Sequence, residues 1–225
     1  MVKHSKRTKV FQLSLVIIFI LVLLGLFVPQ QFQNISFYLK NLLTTSVGWF
    51  YLLLVTGILI FCVFLIVSPI GQIRLGNPTS RPEHSTTSWI AMMFSAGMGI
   101  GLVFYGAAEP LSHFAISTPN AEIGSADALA DAFRFTFFHW GFHAWAVYAL
   151  VGLSLAYFGF RKREKYQLSV VFKPLFGKYA DGPIATIIDT ITIIATVIGV
   201  ATTLGFGASQ INGGLSYVFG IPNNS

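Results

Sequence analysis

Long apolar runs separated by short polar segments organise the chain. The runs cover about 10–28, 47–68, 88–108, 135–160 and 184–208. Each reaches the roughly 20 residues needed to cross the hydrocarbon of a bilayer. The pattern predicts five transmembrane helices in a single membrane domain over 1–225, an all-α polytopic protein. The first run follows Lys3, Lys6, Arg7 and Lys9 and ends in Phe27-Val28-Pro29-Gln30. It is longer than a signal-peptide core and lacks a small-residue cleavage site, so it reads as a retained helix. A polar stretch over 30–46 precedes the second run, which Pro69 and Gly71 terminate. The connector over 72–87, with Arg74, Asn77, Arg81 and two prolines, reads as an ordered loop. Within the polar segment over 111–134, the loosely helical spacing over 125–138 predicts a short interfacial helix.

The third run differs from the rest. It carries Ser95-Ala96-Gly97-Met98-Gly99-Ile100-Gly101, with glycine at every second position. Each such glycine costs a helix interior up to about 1 kcal/mol relative to alanine. A helix interrupted at mid-membrane is tolerated where the freed backbone groups face protein or a wet cavity, and there they can hold an ion or a substrate. The competing reading is a GxxxG face, Gly97 to Gly101, for close helix packing.

Composition narrows the class. Hydrophobic residues make up 54% and charged residues 10%, whereas soluble domains carry about 25% charged residues. The net charge of +6 sits in short clusters between apolar runs, so no basic face is available to a nucleic acid. With the N-terminus inside, twelve of the fourteen Lys and Arg fall in cytoplasmic segments, leaving Lys40 and Arg134 outside. The positive-inside rule then predicts a multi-pass protein of the cell membrane with a cytoplasmic N-terminus. The lone Cys62 excludes a disulfide framework.

Chemistry-bearing residues concentrate in the fourth run, His139-Trp140-Gly141-Phe142-His143-Ala144-Trp145-Ala146-Val147-Tyr148. On one continuous helix, at about 100° per residue, Trp140, Trp145 and Tyr148 share a broad face. Such a face can be one wall of a cage for a quaternary ammonium, or an interfacial aromatic belt. His139 and His143 are four apart, as metal ligands are, but no third ligand is evident beside them. No Asp or Glu lies within 88–108. A protonated amine or a proton carrier would usually require one, so its absence favours a cation held by rings. Asp189, about one turn inside the inner end of the fifth run, reads as an interfacial or helix-capping group. The threonines of the fifth run, Thr196 among them, can coordinate a hard cation or bond back to their own helix. No hydrolase elbow, Walker loop or paired acids are present, and an enzyme is not expected.

Ala96-Gly97-Met98-Gly99-Ile100-Gly101-Leu102-Val103-Phe104-Tyr105-Gly106, running on to Ala108-Glu109-Pro110, resembles the signature of the betaine/choline/carnitine transporter family. Phe138-His139-Trp140 with His143, Trp145 and Tyr148 is similar to that family's aromatic fourth helix, and 199–212 to its fifth. The wording is nearest to glycine betaine transporters of Gram-positive bacteria. The resemblance implies a twelve-helix, LeuT-type inverted-repeat transporter taking up glycine betaine or another quaternary ammonium osmolyte for osmotic protection. It implies sodium as the coupling ion, no other cofactor, and a homotrimer at full length. It places Gly97, Met98, Gly99, Ile100, Gly101, Trp140, Trp145 and Tyr148 at the substrate, and Ser95, Met98 and Thr196 at sodium. Proton-coupled relatives can carry an acid at the place of Gly101, so glycine there leans towards sodium. Val200 stands where the pattern has a second sodium-site threonine.

The resemblance ends after the fifth of twelve helices, and a five-helix piece is expected not to transport. The alternative for such a piece is a non-transporting helix bundle acting as an assembly partner or regulator of a full transporter.

Overall fold

The computed structural model describes residues 3–97, 99–116, 118 and 121–222, with side chains throughout except at 3–8, 96, 97, 100 and 178. Helices and helical turns form all the regular structure among the described residues. In order they are α1 Lys3–Phe27, α2 Pro29–Val67, α3 Thr86–Gly97, α4 Ile100–Ala115, α5 Ala126–Trp140, α6 Phe142–Ala156, the short α7 Leu168–Val171 and α8 Lys173–Phe176, and α9 Pro183–Phe219. A π-helical turn, Tyr157–Arg161, extends α6.

Four stretches among the described residues are long and apolar enough to cross a membrane: Lys9–Phe27, Pro29–Val67, Ala126–Arg161 and Pro183–Phe219. The third predicted run is in two pieces, α3 of 12 residues and α4 of 16. At about 1.5 Å per residue neither piece alone spans roughly 30 Å of hydrocarbon. The interruption falls at Gly99, whose extended backbone (φ −67°, ψ −178°) caps α4. The other breaks and joins differ from the sequence pattern. The polar stretch over 30–46 is helical and continuous with the second run, because Pro29 at the first helical position starts α2 there. The fourth run is divided at Gly141, and its first part continues the helix that the spacing over 125–138 predicts. The fifth continues to Phe219.

Large apolar side chains are exposed along every long helix, and α2 buries none of its residues. The fully covered positions are mostly small, Ala128, Ala132 and Ala185 at 0% exposure among them. Helices that face lipid have no hydrophobic drive to pair, and small residues let their backbones approach.

The chain forms two compact units. The first comprises Met1–Pro78 and Ala146–Val197. Here the basic cluster grips the ordered connector: Arg161 donates to the carbonyls of Arg74 (2.9 Å) and Gly76 (3.4 Å), and Arg163 to Asn77 Oδ1 (3.3 Å). Glu164 accepts from Lys173 at 2.9 Å and raises the lysine's pKa. Asp189, 5% exposed, caps α7 from α9 by accepting from the Ser169 amide (3.1 Å) and hydroxyl (2.9 Å). Asp189→Ala would leave both donors buried and unpaired, at a cost of about 1.5–3 kcal/mol. Asp189→Asn keeps an acceptor and should lose less. Thermal unfolding of the purified protein in detergent tests this, and an alanine variant as stable as the parent would show that the cap does not stabilise the fold.

The second unit comprises Thr79–Trp145 and Ile198–Ser225. Ser125 Oγ accepts from the Ala128 amide and starts α5, with Asp127 in the favourable first turn. The α4 and α5 helices pack along their length, with Ala128 and Ala132 fully covered on α5.

Candidate functional site

In the second unit the end of α5 meets the start of α4. Gly101 lies against Trp140, and a Cβ at Gly101 would stand 3.8 Å from Cη2 of the indole. One turn further along α4, Tyr105 packs on the Trp140 ring with centroids 5.7 Å apart. Phe206 of α9 adds to this group, stacked on Phe104 at 5.2 Å and edge-on to Tyr105 at 5.4 Å. A Cβ at that distance would only touch the ring, so the approach of α4 to the indole does not itself require glycine.

Both tryptophans are anchored by their N–H. Trp140 Nε1 donates to Glu109 Oε2 at 2.5 Å. Trp145 Nε1 donates to the Trp140 carbonyl at 3.0 Å, satisfying a backbone acceptor where α5 stops. Glu109 is therefore a hub. Its other oxygen is hydrogen-bonded to His139 Nδ1 and stands 3.5 Å from His113 Nε2. His113 sits four residues after Glu109, on the same face of α4.

The division at Gly141 alters how the aromatic residues are related. One continuous helix would place Trp140, Trp145 and Tyr148 on a common wheel. With the break, the wheel relates Trp145 only to Tyr148 within α6, and α5 fixes Trp140. The same break separates the two histidines: His139 joins Glu109, while the His143 ring packs on Phe138 at 4.9 Å. Beside His139 stand Glu109 and His113, both of α4.

The remaining predicted site residues are distributed as follows. Gly97 ends α3, Gly99 caps α4, and Ile100 and Gly101 are its first two residues. Met98 lies outside the described residues. Trp145 is 40% and Tyr148 72% exposed, Tyr148 belonging to the first unit. Ser95 is exposed on α3 in the second unit, whereas Thr196 is on α9 in the first. The Thr196 hydroxyl donates to the Thr192 carbonyl at 2.8 Å, and that of Thr192 to the Ile188 carbonyl at 2.8 Å. The structure thus brings Gly101, Trp140 and Trp145 together, and adds Glu109, Tyr105 and Phe206.

Residues 9–225 match the model of the BCCT, or betaine/carnitine/choline, family of transporters. The chain belongs to this family. Among curated BCCT relatives, the glycine betaine transporter OpuD of Bacillus subtilis is 53% identical over 99% of this chain. A probable glycine betaine transporter of Desulfitobacterium hafniense is 45% identical over 97%, and an ectoine/hydroxyectoine transporter of Virgibacillus pantothenticus 43% identical over 99%. The alignments cover 43%, 44% and 44% of these three relatives, so the chain spans less than half of their length. Membership in BCCT points to a transporter rather than an enzyme.

Proposed function

We propose that this sequence forms the substrate-binding portion of a secondary transporter for glycine betaine or a related quaternary ammonium osmolyte, coupled to sodium and serving osmotic protection. One observation carries this reading: both indole N–H groups, of Trp140 and Trp145, are committed to protein acceptors. What the rings have left to offer is their π faces. A trimethylammonium group has no N–H to donate and binds aromatic faces electrostatically. Gly101 stands beside Trp140, and Glu109 holds that ring in place. The interruption at Gly99 supports a binding segment of the discontinuous-helix type.

In this proposal the whole protein has the twelve-helix inverted-repeat architecture that the resemblance implies. The two pieces α3 and α4 count as one broken span, giving five within these residues. The N-terminus is cytoplasmic, and the complete protein is a trimer. Backbone carbonyls near Ser95 and Met98 are proposed for one sodium site, and Thr196 for a second.

The test is uptake of labelled glycine betaine by cells lacking their own osmolyte transporters and expressing the full gene product. Saturable uptake that requires sodium is the expected result. Uptake indifferent to sodium would overturn the coupling. Absence of uptake with the protein in the membrane would overturn the substrate class.

A further inference from the structure

We propose that Glu109, His113 and His139 form a binding site for a transition-metal dication of the Zn2+ class. Glu109 Oε1, a nitrogen of His113 and a nitrogen of His139 all lie within 4.8 Å of one another. Two neutral imidazoles and one carboxylate are a borderline-soft donor set, suited to zinc and its neighbours rather than to sodium, calcium or magnesium. Around a tetrahedral zinc with bonds of about 2.0–2.2 Å, ligand atoms stand roughly 3.3–3.6 Å apart. The 3.5 Å separation of Glu109 Oε1 and His113 Nε2 already matches that spacing.

Glu109 Oε1 and His139 Nδ1 are joined by a hydrogen bond. A dication would take the place of that bond, with His139 binding it as the neutral imidazole. His139 is 49% exposed at its side chain, so it can move and also provides an entry path. Glu109 and His113, at 13% and 23%, are the more fixed ligands. Three protein ligands leave a fourth position for water.

The other carboxylate oxygen is held by the Trp140 indole. That arrangement resembles the outer-sphere hydrogen bond that orients a metal-binding carboxylate. It also links the metal to the aromatic ring. A metal on Oε1 withdraws charge from Oε2, and its own charge opposes an ammonium group seated near Trp140. Metal and cationic substrate should therefore weaken one another, reciprocally. This coupling rests on the function proposed above, whereas the metal site itself stands on the geometry of the three side chains.

The experiment is a titration of the purified full-length protein with Co2+, followed by its visible absorption, and then displacement by Zn2+. One Co2+ per chain with the intense spectrum of tetrahedral coordination is expected. His113→Gln and His139→Gln should each weaken binding by about tenfold or more. His143→Gln, outside the cluster, should bind like the parent. If one variant does not fold, as judged by size-exclusion chromatography, the other carries the comparison. A weak octahedral spectrum, or equal affinity in parent and both variants, would overturn the site. Glycine betaine should lower the Co2+ affinity. If tetrahedral Co2+ binds but betaine neither is transported nor alters it, the metal site stands and the transport reading falls. Uptake of betaine by a protein that binds no Co2+ would overturn the metal site and leave the transport reading intact.

Discussion

Glu109→Ala is expected to lower the efficiency of betaine uptake by about 5- to 150-fold in cells expressing the full gene product. The carboxylate accepts from Trp140 and His139 and faces His113. Removing it leaves half-buried donors without their acceptor, at about 1–3 kcal/mol. If that energy is lost from the bound state, it corresponds to the stated range, since about 1.4 kcal/mol is tenfold. Glu109→Gln keeps one acceptor oxygen for the indole and should fall between alanine and the parent. Uptake by Glu109→Ala at the parental rate, with equal protein in the membrane, would show that Trp140 needs no anchor.

Gly141→Ala should be comparably severe, for a different reason. A Cβ at Gly141 would lie 2.3 Å from the Phe137 carbonyl oxygen. The obstruction is backbone, so no side chain can swing away to relieve it. Either α5 or α6 must shift, at about 1–3 kcal/mol by comparison with other overpacked sites. The shift acts on the two residues flanking the junction, Trp140 before it and the Trp145 indole bonded back across it. We expect a lower unfolding temperature in detergent together with a loss of uptake. A variant that retains both would mean that the junction relaxes freely and that the break is not structural.

These residues also show where sequence was informative. Alternate glycines at 97, 99 and 101 weaken a helix whatever surrounds it, and the interruption at Gly99 was therefore legible. Gly141 is one glycine in an unbroken apolar run, and hydropathy does not register a helix that stops and restarts. The start of α2 at Pro29 could have been found, because proline is favoured at the first helical turn even when the following residues are polar. Glu109 reads as the end of a span, and only its spacing from His113 hints at a shared face. That His139, 30 residues on, reaches the same oxygen is a product of α4–α5 packing. The role of Asp189 was half legible: a lone acid near a helix end suggests a cap, but not that it caps a different helix.

The back-bonded threonines of α9 carry one more consequence. A hydroxyl has a single hydrogen to donate and two lone pairs. In Thr192 and Thr196 that hydrogen is directed to a carbonyl one turn earlier on the same helix. Each oxygen is thereby left as a pure acceptor. The two lie four residues apart, hence on the same side of α9. Such a pair is indifferent to other acceptors and receptive only to groups that bring positive charge or a hydrogen of their own.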